Sequence, residues 1–382
     1  MTPRVAFVNG GILGLLSYAA WLRRTFPDDR YIHAEHFVLT ENLDLRDRIG
    51  RRVLCQKLLP DAGGVHNLDL VRLRREYNTG LTARRRLLAR GLEHFDVLHF
   101  HRQATAYASL DLMEQRPSIV SIDCSQTCVL QDASSAAERW SLGFNVRRDG
   151  EIFRRAAAIV CTSHWAQDDL RRLYPDCAAR TLVMPSPVML DLFHPGWIEE
   201  RRARGSARTH CLFVGGDFPR KGGYDLLRAW EAGGFAARAD LVLMTGWRID
   251  VPLPDGVRQE RGVRSDSPEW LHAWQRADLF VMPTRNEAFG LVFQEAAAAG
   301  LPAIATRLNA IPEIIHDGET GILMPPGDIA AIAAALDRLI SSAELRAAMG
   351  RAARRKIEQD ADPDAHRLRL VSLIREVVPQ HG

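Results

Sequence analysis

Residues 278–295 read Asp278-Leu-Phe-Val-Met-Pro-Thr-Arg-Asn-Glu-Ala-Phe-Gly-Leu-Val-Phe-Gln-Glu295. Asp278 to Met282 is a short apolar run stopped by Pro283, the pattern of a buried parallel strand, and Val292 to Ala299 is an alanine-rich helix stopped by Gly300. Strand, turn and helix in succession predict one βα unit of an open α/β sheet. Glu287 then falls in the turn and Glu295 inside the helix. The amides of Ala288, Phe289, Gly290 and Leu291 open that helix, where free N–H groups and the macrodipole favour an anion. Two carboxylates flanking an anion site point to a ligand with phosphates and several hydroxyls.

The same pattern recurs. Val5-Ala-Phe-Val8 with Gly10-Gly11, and Cys211-Leu-Phe-Val214 with Gly215-Gly216, each lead into a helical stretch, so both halves begin with a βα unit. Further short apolar runs follow in each half, among them 96–100, 118–122, 159–162 and 181–184, then 241–244, 279–282, 302–305 and 321–324. Two open parallel sheets covered by helices on both faces are expected, with ligands at the carboxyl ends of the strands. A chain of 382 residues suits two such domains. Pro185-Ser-Pro187 and the charged stretch Glu199 to Arg208 place the boundary near 195–208, giving domains at 1–195 and 205–362 and a last amphipathic helix within 363–382.

The 50 basic residues nearly match the 47 acidic ones, and a net charge of +3 argues against nucleic acid. The six cysteines, at 55, 124, 128, 161, 177 and 211, form no CxxC pair and fit reduced thiols of a cytoplasmic protein. The apolar stretch from Arg4 to Leu22 is broken by Gly10, Gly11 and Gly14, which disfavours a signal peptide, and no apolar span reaches membrane length.

Lysine is scarce: Lys57, Lys221 and Lys356 are the whole set. In Gly215-Gly-Asp-Phe-Pro-Arg-Lys-Gly-Gly223 the cations Arg220 and Lys221 stand among glycines just before a helix, a setting that neutralises charge on a departing diphosphate. The P-loop spacing is absent. His99 and His101, two apart at the end of one strand, share a face, and His101 is placed to reach a ligand. His33-Ala-Glu-His36 has no HExxH spacing and no third ligand, so no metal is expected. The arginines at 72, 74, 75, 84, 85, 86 and 90, with leucines interleaved, read either as the solvated face of a helix or as a contact for anionic lipid or a phosphorylated acceptor.

Together with Asp317-Gly-Glu-Thr-Gly-Ile-Leu-Met-Pro-Pro-Gly327, these segments resemble the retaining, nucleotide-sugar-dependent glycosyltransferases of family 4, which have the GT-B fold of two Rossmann-like domains facing a cleft. The resemblance implies Glu287 and the amides of Ala288 to Leu291 on the sugar hydroxyls, Glu295 on the ribose, Arg220 and Lys221 on the diphosphate with the Gly11 amide, and His101 near the sugar and acceptor. It implies a hexosyl donor, a glycan, lipid-linked or small-molecule hydroxyl acceptor, no cofactor besides the nucleotide-sugar substrate, and a final helix crossing back to the first domain. Cell-surface polysaccharide or glycoconjugate synthesis, in the cytoplasm or at the inner face of the membrane, is the setting expected. The chain departs from the family where many members have an arginine in place of Gly216, Gly-Gly in place of Asn309-Ala310, and Asn-Gly-Val near Pro185-Ser-Pro-Val188. A nicotinamide-dependent dehydrogenase would need GxGxxG, which is missing. A sugar-nucleotide epimerase of the same fold and a non-catalytic nucleotide-binding or membrane-docking module are the alternatives, separable by acceptor-dependent transfer.

Overall fold

The computed structural model describes residues 2–11, 13–27, 30–56, 70–133, 135–205 and 208–378. The chain divides into two compact units, Met1–Ser186 with Asp364–Gly382, and Pro187–Pro363.

The first unit runs β1 (Arg4–Asn9), α1 (Leu13–Thr25), β2 (His33–Val38), α2 (Leu45–Leu54), α3 (Val71–Arg90), β3 (Val97–His101), α4 (Leu110–Gln115), β4 (Ser118–Ile122), α5 (Thr127–Asp132), α6 (Ala136–Arg155), β5 (Ala158–Cys161), α7 (His164–Leu173) and β6 (Thr181–Val183). Its six strands pair in the order β2-β1-β3-β4-β5-β6, all parallel. The chain steps outward to β2 and then crosses β1 to lay down β3, so the connections diverge between β1 and β3, where an open α/β sheet leaves a crevice at its carboxyl edge. Leu87, Phe100, Tyr107 and Phe153 are buried in the core that the helices close over this sheet.

Strand β2 was not expected, because His33-Ala-Glu-His-Phe-Val38 lacks a continuous apolar run. It is an edge strand with one buried neighbour, so it needs less apolar surface than a central one. His36 stands opposite Phe7, which stands opposite His99, and the Phe7 ring lies 5.3 Å from each imidazole. His36 therefore belongs to a cross-strand packing row with Phe7 and His99.

The arginine-rich stretch Arg72 to Arg90, read from sequence either as a solvated helix face or as a contact for anionic lipid or a phosphorylated acceptor, lies on α3 and makes many contacts within the first unit. Its guanidinium groups are partnered by residues of the same unit while several stay partly exposed, Arg90 at 49%. Arg72 bonds Gln126 at 3.1 Å, Arg74 the carbonyl of Leu54 at 3.0 Å, and Arg75 that of Cys55 at 2.9 Å. Arg84 pairs with Asp111, Arg85 with Asp47, and Arg90 with Glu35, while Arg86 caps the Val38 and Glu41 carbonyls at 2.9 and 2.7 Å. Satisfying carbonyls at the ends of neighbouring elements is the reason so many guanidiniums gather on one helix.

The second unit runs α8 (Trp197–Arg204), β7 (Thr209–Val214), α9 (Gly223–Ala232), β8 (Ala239–Met244), β9 (Val257–Glu260), α10 (Pro268–Arg276), β10 (Leu279–Met282), α11 (Leu291–Ala298), β11 (Ala303–Thr306), α12 (Ile311–Ile314), β12 (Gly321–Met324), α13 (Ile329–Ile340) and α14 (Ala343–Asp360). Its strands pair in the order β12-β11-β10-β7-β8-β9, again all parallel. Here the connections diverge between β7 and β10. Two six-stranded parallel sheets with helices on them are the GT-B fold that the resemblance implied.

The junction between units lies at Ser186–Pro187, upstream of the expected 195–208. The charged segment looked like a linker, yet Trp197–Arg204 is a helix packed on the second unit. Arg201 donates to the carbonyls of Trp274, Gln275 and Ala299 at 3.2, 3.1 and 2.6 Å, and Phe193 packs against Trp270 and Trp274. The last helix, α15 (Pro363–Val377), belongs to the first unit. Its His366 Nδ1 meets the Pro185 carbonyl at 2.9 Å and Nε2 the Tyr18 hydroxyl at 3.1 Å, with Leu370, Val371 and Ile374 buried beside them.

Candidate active site

Because β7 and β10 are neighbours, the turns that leave their carboxyl ends run side by side. The turn after β7 carries Arg220 and Lys221; the turn after β10 carries Glu287. The sequence reading assigned the cations to the diphosphate and the carboxylate to the sugar hydroxyls, as separate contacts. The structure instead joins them: Lys221 Nζ and Glu287 Oε2 form a direct ion pair, with 13% of each side chain exposed. Strand adjacency is the cause.

The two turns are tied together by hydrogen bonds from both backbone and side chains. The Arg220 carbonyl accepts from Arg285 N at 2.8 Å and from Thr284 Oγ1 at 3.2 Å, and Arg220 Nη1 donates to the Asn286 carbonyl at 2.6 Å. Arg220 Nε also meets Asp217 at 3.1 Å, so this guanidinium is oriented while remaining partly exposed. Gly222 supplies the left-handed backbone, φ +73°, that lets the chain pass against Pro283, and a Cβ there would sit 1.9 Å from the Pro283 carbonyl oxygen. Arg285 then grips the buried Asp225 of α9 through two bonds of 2.7 and 2.8 Å. None of Thr284, Arg285, Asn286 or Asp225 was picked out from sequence, since each acts through contacts with distant segments.

Asn309 explains one departure from the family pattern. It adopts φ +49°, a conformation glycine usually supplies and asparagine tolerates, and its Nδ2 donates to the Glu287 carbonyl at 2.9 Å. The side chain thereby adds a strut under Glu287 that glycine could not provide.

Helix α11 begins at Leu291, with Gly290 as its left-handed cap at φ +87°. Ala288 and Phe289 precede the helix, where the sequence reading had them open it; Phe289 is buried and the Ala288 carbonyl accepts from Ala310 N at 3.3 Å. Glu295 lies on the second turn of α11. Burial, reinforced by the Asp266 charge, raises its carboxyl to about 8.

In the first unit, Gly11 and His101 fall at the divergence between β1 and β3, where Asn9 and His101 are register partners. Asn9 Oδ1 accepts the Gly11 N–H at 3.0 Å, so that amide is already engaged. His101 is 6% exposed, and its ring stacks on Tyr18 at 4.3 Å with 18° between planes. Burial, then the neighbouring His99, His366 and Arg102, hold its imidazole well below the usual histidine range, so it is neutral at physiological pH. Its Nδ1 is buried without a hydrogen-bond partner among the described residues. A neutral imidazole there can exchange one hydrogen bond with a hydroxyl but cannot serve as a resident cation.

Beyond β3 and β4 lies a polar cluster with no sequence signature. Asp149 accepts from Tyr107 at 2.7 Å, Gln126 at 3.0 Å and Gln103 at 3.2 Å, and Asn145 joins Glu76 at 2.6 Å. Burial and the Glu76 charge lift Asp149 to about 7.

Residues 263–356, which include α11 and both site carboxylates, match the family described as Glycosyl transferases group 1. Sulfoquinovosyl transferase SQD2 of Arabidopsis thaliana is 40% identical over 94 residues, 24% of this chain and 18% of that protein. D-inositol 3-phosphate glycosyltransferase of Streptomyces avermitilis is 29% identical over 325 residues, 76% of this chain and 68% of that one. Among solved structures, Anabaena HepE in complex with UDP-glucose superposes with a TM-score of 0.68 at 15% identity, covering 98% of this chain and all, 100%, of that one. At that identity the likeness speaks for the fold.

Proposed function

We propose, for a chain whose residues 263–356 belong to the group 1 glycosyl transferases, that it moves a hexosyl group from a nucleotide-diphosphate sugar to a hydroxyl acceptor with retention of configuration. The observation that carries this reading is the Lys221–Glu287 pair at the joined ends of β7 and β10. A single cation flanked by glycine and backed by Arg220 suits a diphosphate, and a carboxylate in contact with it suits sugar hydroxyls. The UDP-glucose bound by Anabaena HepE is consistent with such a donor.

In the proposed step the bond from the anomeric carbon to the diphosphate oxygen breaks, and a bond from the acceptor oxygen to that carbon forms on the same face. The acceptor proton passes to the leaving diphosphate. Lys221 and Arg220 lower the barrier by neutralising charge where it develops. Glu287 orients the sugar, and no metal is required for charge neutralisation that these cations supply. We assign acceptor recognition to the first unit, with neutral His101 as a hydroxyl partner. Saturating UDP-glucose is expected to raise the melting temperature by a few degrees, and acceptor addition to accelerate UDP release. Absence of any shift with UDP, GDP, ADP and dTDP sugars alike would sink the donor assignment.

Glu295 gives a pH signature. Its carboxyl is raised from 4.5 to about 8, so it is protonated at neutral pH, and its contribution to folded-state stability, full below 4.5, is lost as pH rises up to about 8. Ribose hydroxyls donate best to the ionised form. Nucleoside diphosphate affinity should therefore rise from about pH 7 to about pH 9, and Glu295→Gln should flatten the profile. Calorimetric titration across that range reads the effect; equal slopes in both proteins would remove Glu295 from the ribose contact.

A further inference from the structure

Helix α2 presents a face that the first unit leaves uncovered. Leu45, Ile49 and Val53 recur every fourth residue and are 72%, 52% and 60% exposed. With 3.6 residues per turn they share an arc of about 80°, bordered by Arg48 and Arg52 on one side and Arg46 on the other. These three arginines are exposed and, among the described residues, their guanidinium groups make no hydrogen bond or ion pair. They differ in this from the arginines of α3, which are partnered within the unit.

The opposite face of α2 fixes this orientation. Asp47, its one acid, is turned inward, 2% exposed, where Thr82 donates to it at 2.8 Å and Arg85 and Arg86 pair with it. Gly50 packs so closely that a Cβ would lie 2.4 Å from Asn78 Oδ1. Arg74 bonds the Leu54 carbonyl at 3.0 Å. At the amino end, Asp44 Oδ1 accepts from Asp47 N at 2.7 Å and Asp47 returns a bond to Asp44 N at 3.3 Å, a complete capping box. The helix is thus anchored with its apolar stripe and unpaired cations facing out together.

We propose that α2 docks the protein on an anionic bilayer surface, with Leu45, Ile49 and Val53 entering the headgroup boundary and Arg46, Arg48 and Arg52 meeting lipid phosphates. An apolar stripe with cationic margins and no outward acid on the helix itself complements such a surface. A second copy of the chain fits poorly, because two-fold pairing of the stripe would bring two sets of unpaired arginines together. The inference rests on no part of the donor assignment.

The test is cosedimentation of the intact protein with vesicles of equimolar phosphatidylglycerol and phosphatidylcholine, beside vesicles of phosphatidylcholine alone. Binding is expected to the first only. The triple variant Arg46→Gln/Arg48→Gln/Arg52→Gln should weaken it by on the order of 100-fold, and Ile49→Asp/Val53→Asp should remove it, with circular dichroism and melting temperature unchanged. Arg90→Gln, which breaks an α3 ion pair, should bind as wild type. Wild-type protein left in the supernatant, variants that bind as wild type, or an equal loss in Arg90→Gln would each overturn the proposal. So would a dimer that dissociates on Ile49→Asp with no vesicle binding, which would identify a second copy as the occupant. The thermal shift with UDP-glucose, read on the same variants, separates failure here from failure of the donor reading.

Discussion

Lys221→Ala is expected to lower kcat for sugar transfer by on the order of 10²- to 10³-fold, the usual loss when one group that stabilises developing charge is removed. Lys221 is one of three lysines in a chain rich in arginine, and a compact ammonium is not interchangeable with a planar guanidinium fork at an ion pair with 13% of each side chain exposed. Lys221→Arg should therefore rescue only in part. Lys221→Ala also leaves the Glu287 carboxylate without its ion-pair partner while 13% exposed, so its melting temperature should fall as well. Lys221→Ala/Glu287→Gln separates the two effects: it should recover stability and remain inactive. A double variant that regains turnover along with stability would show that Lys221 is structural. If KM rises while kcat is unchanged, the lysine binds the donor without aiding bond breaking.

Gly222→Ala should be the most damaging small change in the second unit. The residue needs φ +73°, and its added Cβ would press 1.9 Å from the Pro283 carbonyl oxygen, a backbone atom with no room to retreat. Strain and overpacking together amount to about 3 kcal/mol, which for a unit of this size lowers the melting temperature by roughly 10 °C. Turnover should fall too, because the turn that aims Lys221 would move. Gly234→Ala is the control: its φ is +58°, but nothing lies within 4 Å of a Cβ there, so only the backbone term remains. Equal losses from the two variants, by differential scanning calorimetry, would show that contact with Pro283 contributes nothing.

The sequence disclosed what local chemistry encodes. Buried central strands such as Phe280 to Met282 are continuous apolar runs, and glycine turns announce where they end. Edge strands β2 and β9 escaped because one open side lets Glu35, or Arg258 and Gln259, take strand positions. The site was legible as a set of residues and illegible as an arrangement. Lys221 and Glu287 are 66 positions apart, and only the adjacency of β7 and β10 makes them partners. Charge misled twice for the same reason: Glu199 to Arg208 and Arg72 to Arg90 look solvated, yet their guanidiniums reach carbonyls contributed by other elements.

The first unit is made of two separated pieces of chain, with the second unit inserted into it between Ser186 and Asp364. Val188 N bonds the Ala361 carbonyl at 3.4 Å, so the insert leaves and re-enters through adjacent strands of backbone. A ribosome therefore completes the whole second unit before it releases the helix that gives Tyr18 its His366 partner. Until that final segment emerges, the Tyr18 and Trp21 surface must wait uncovered, and the first unit, although begun first, is the last to be finished.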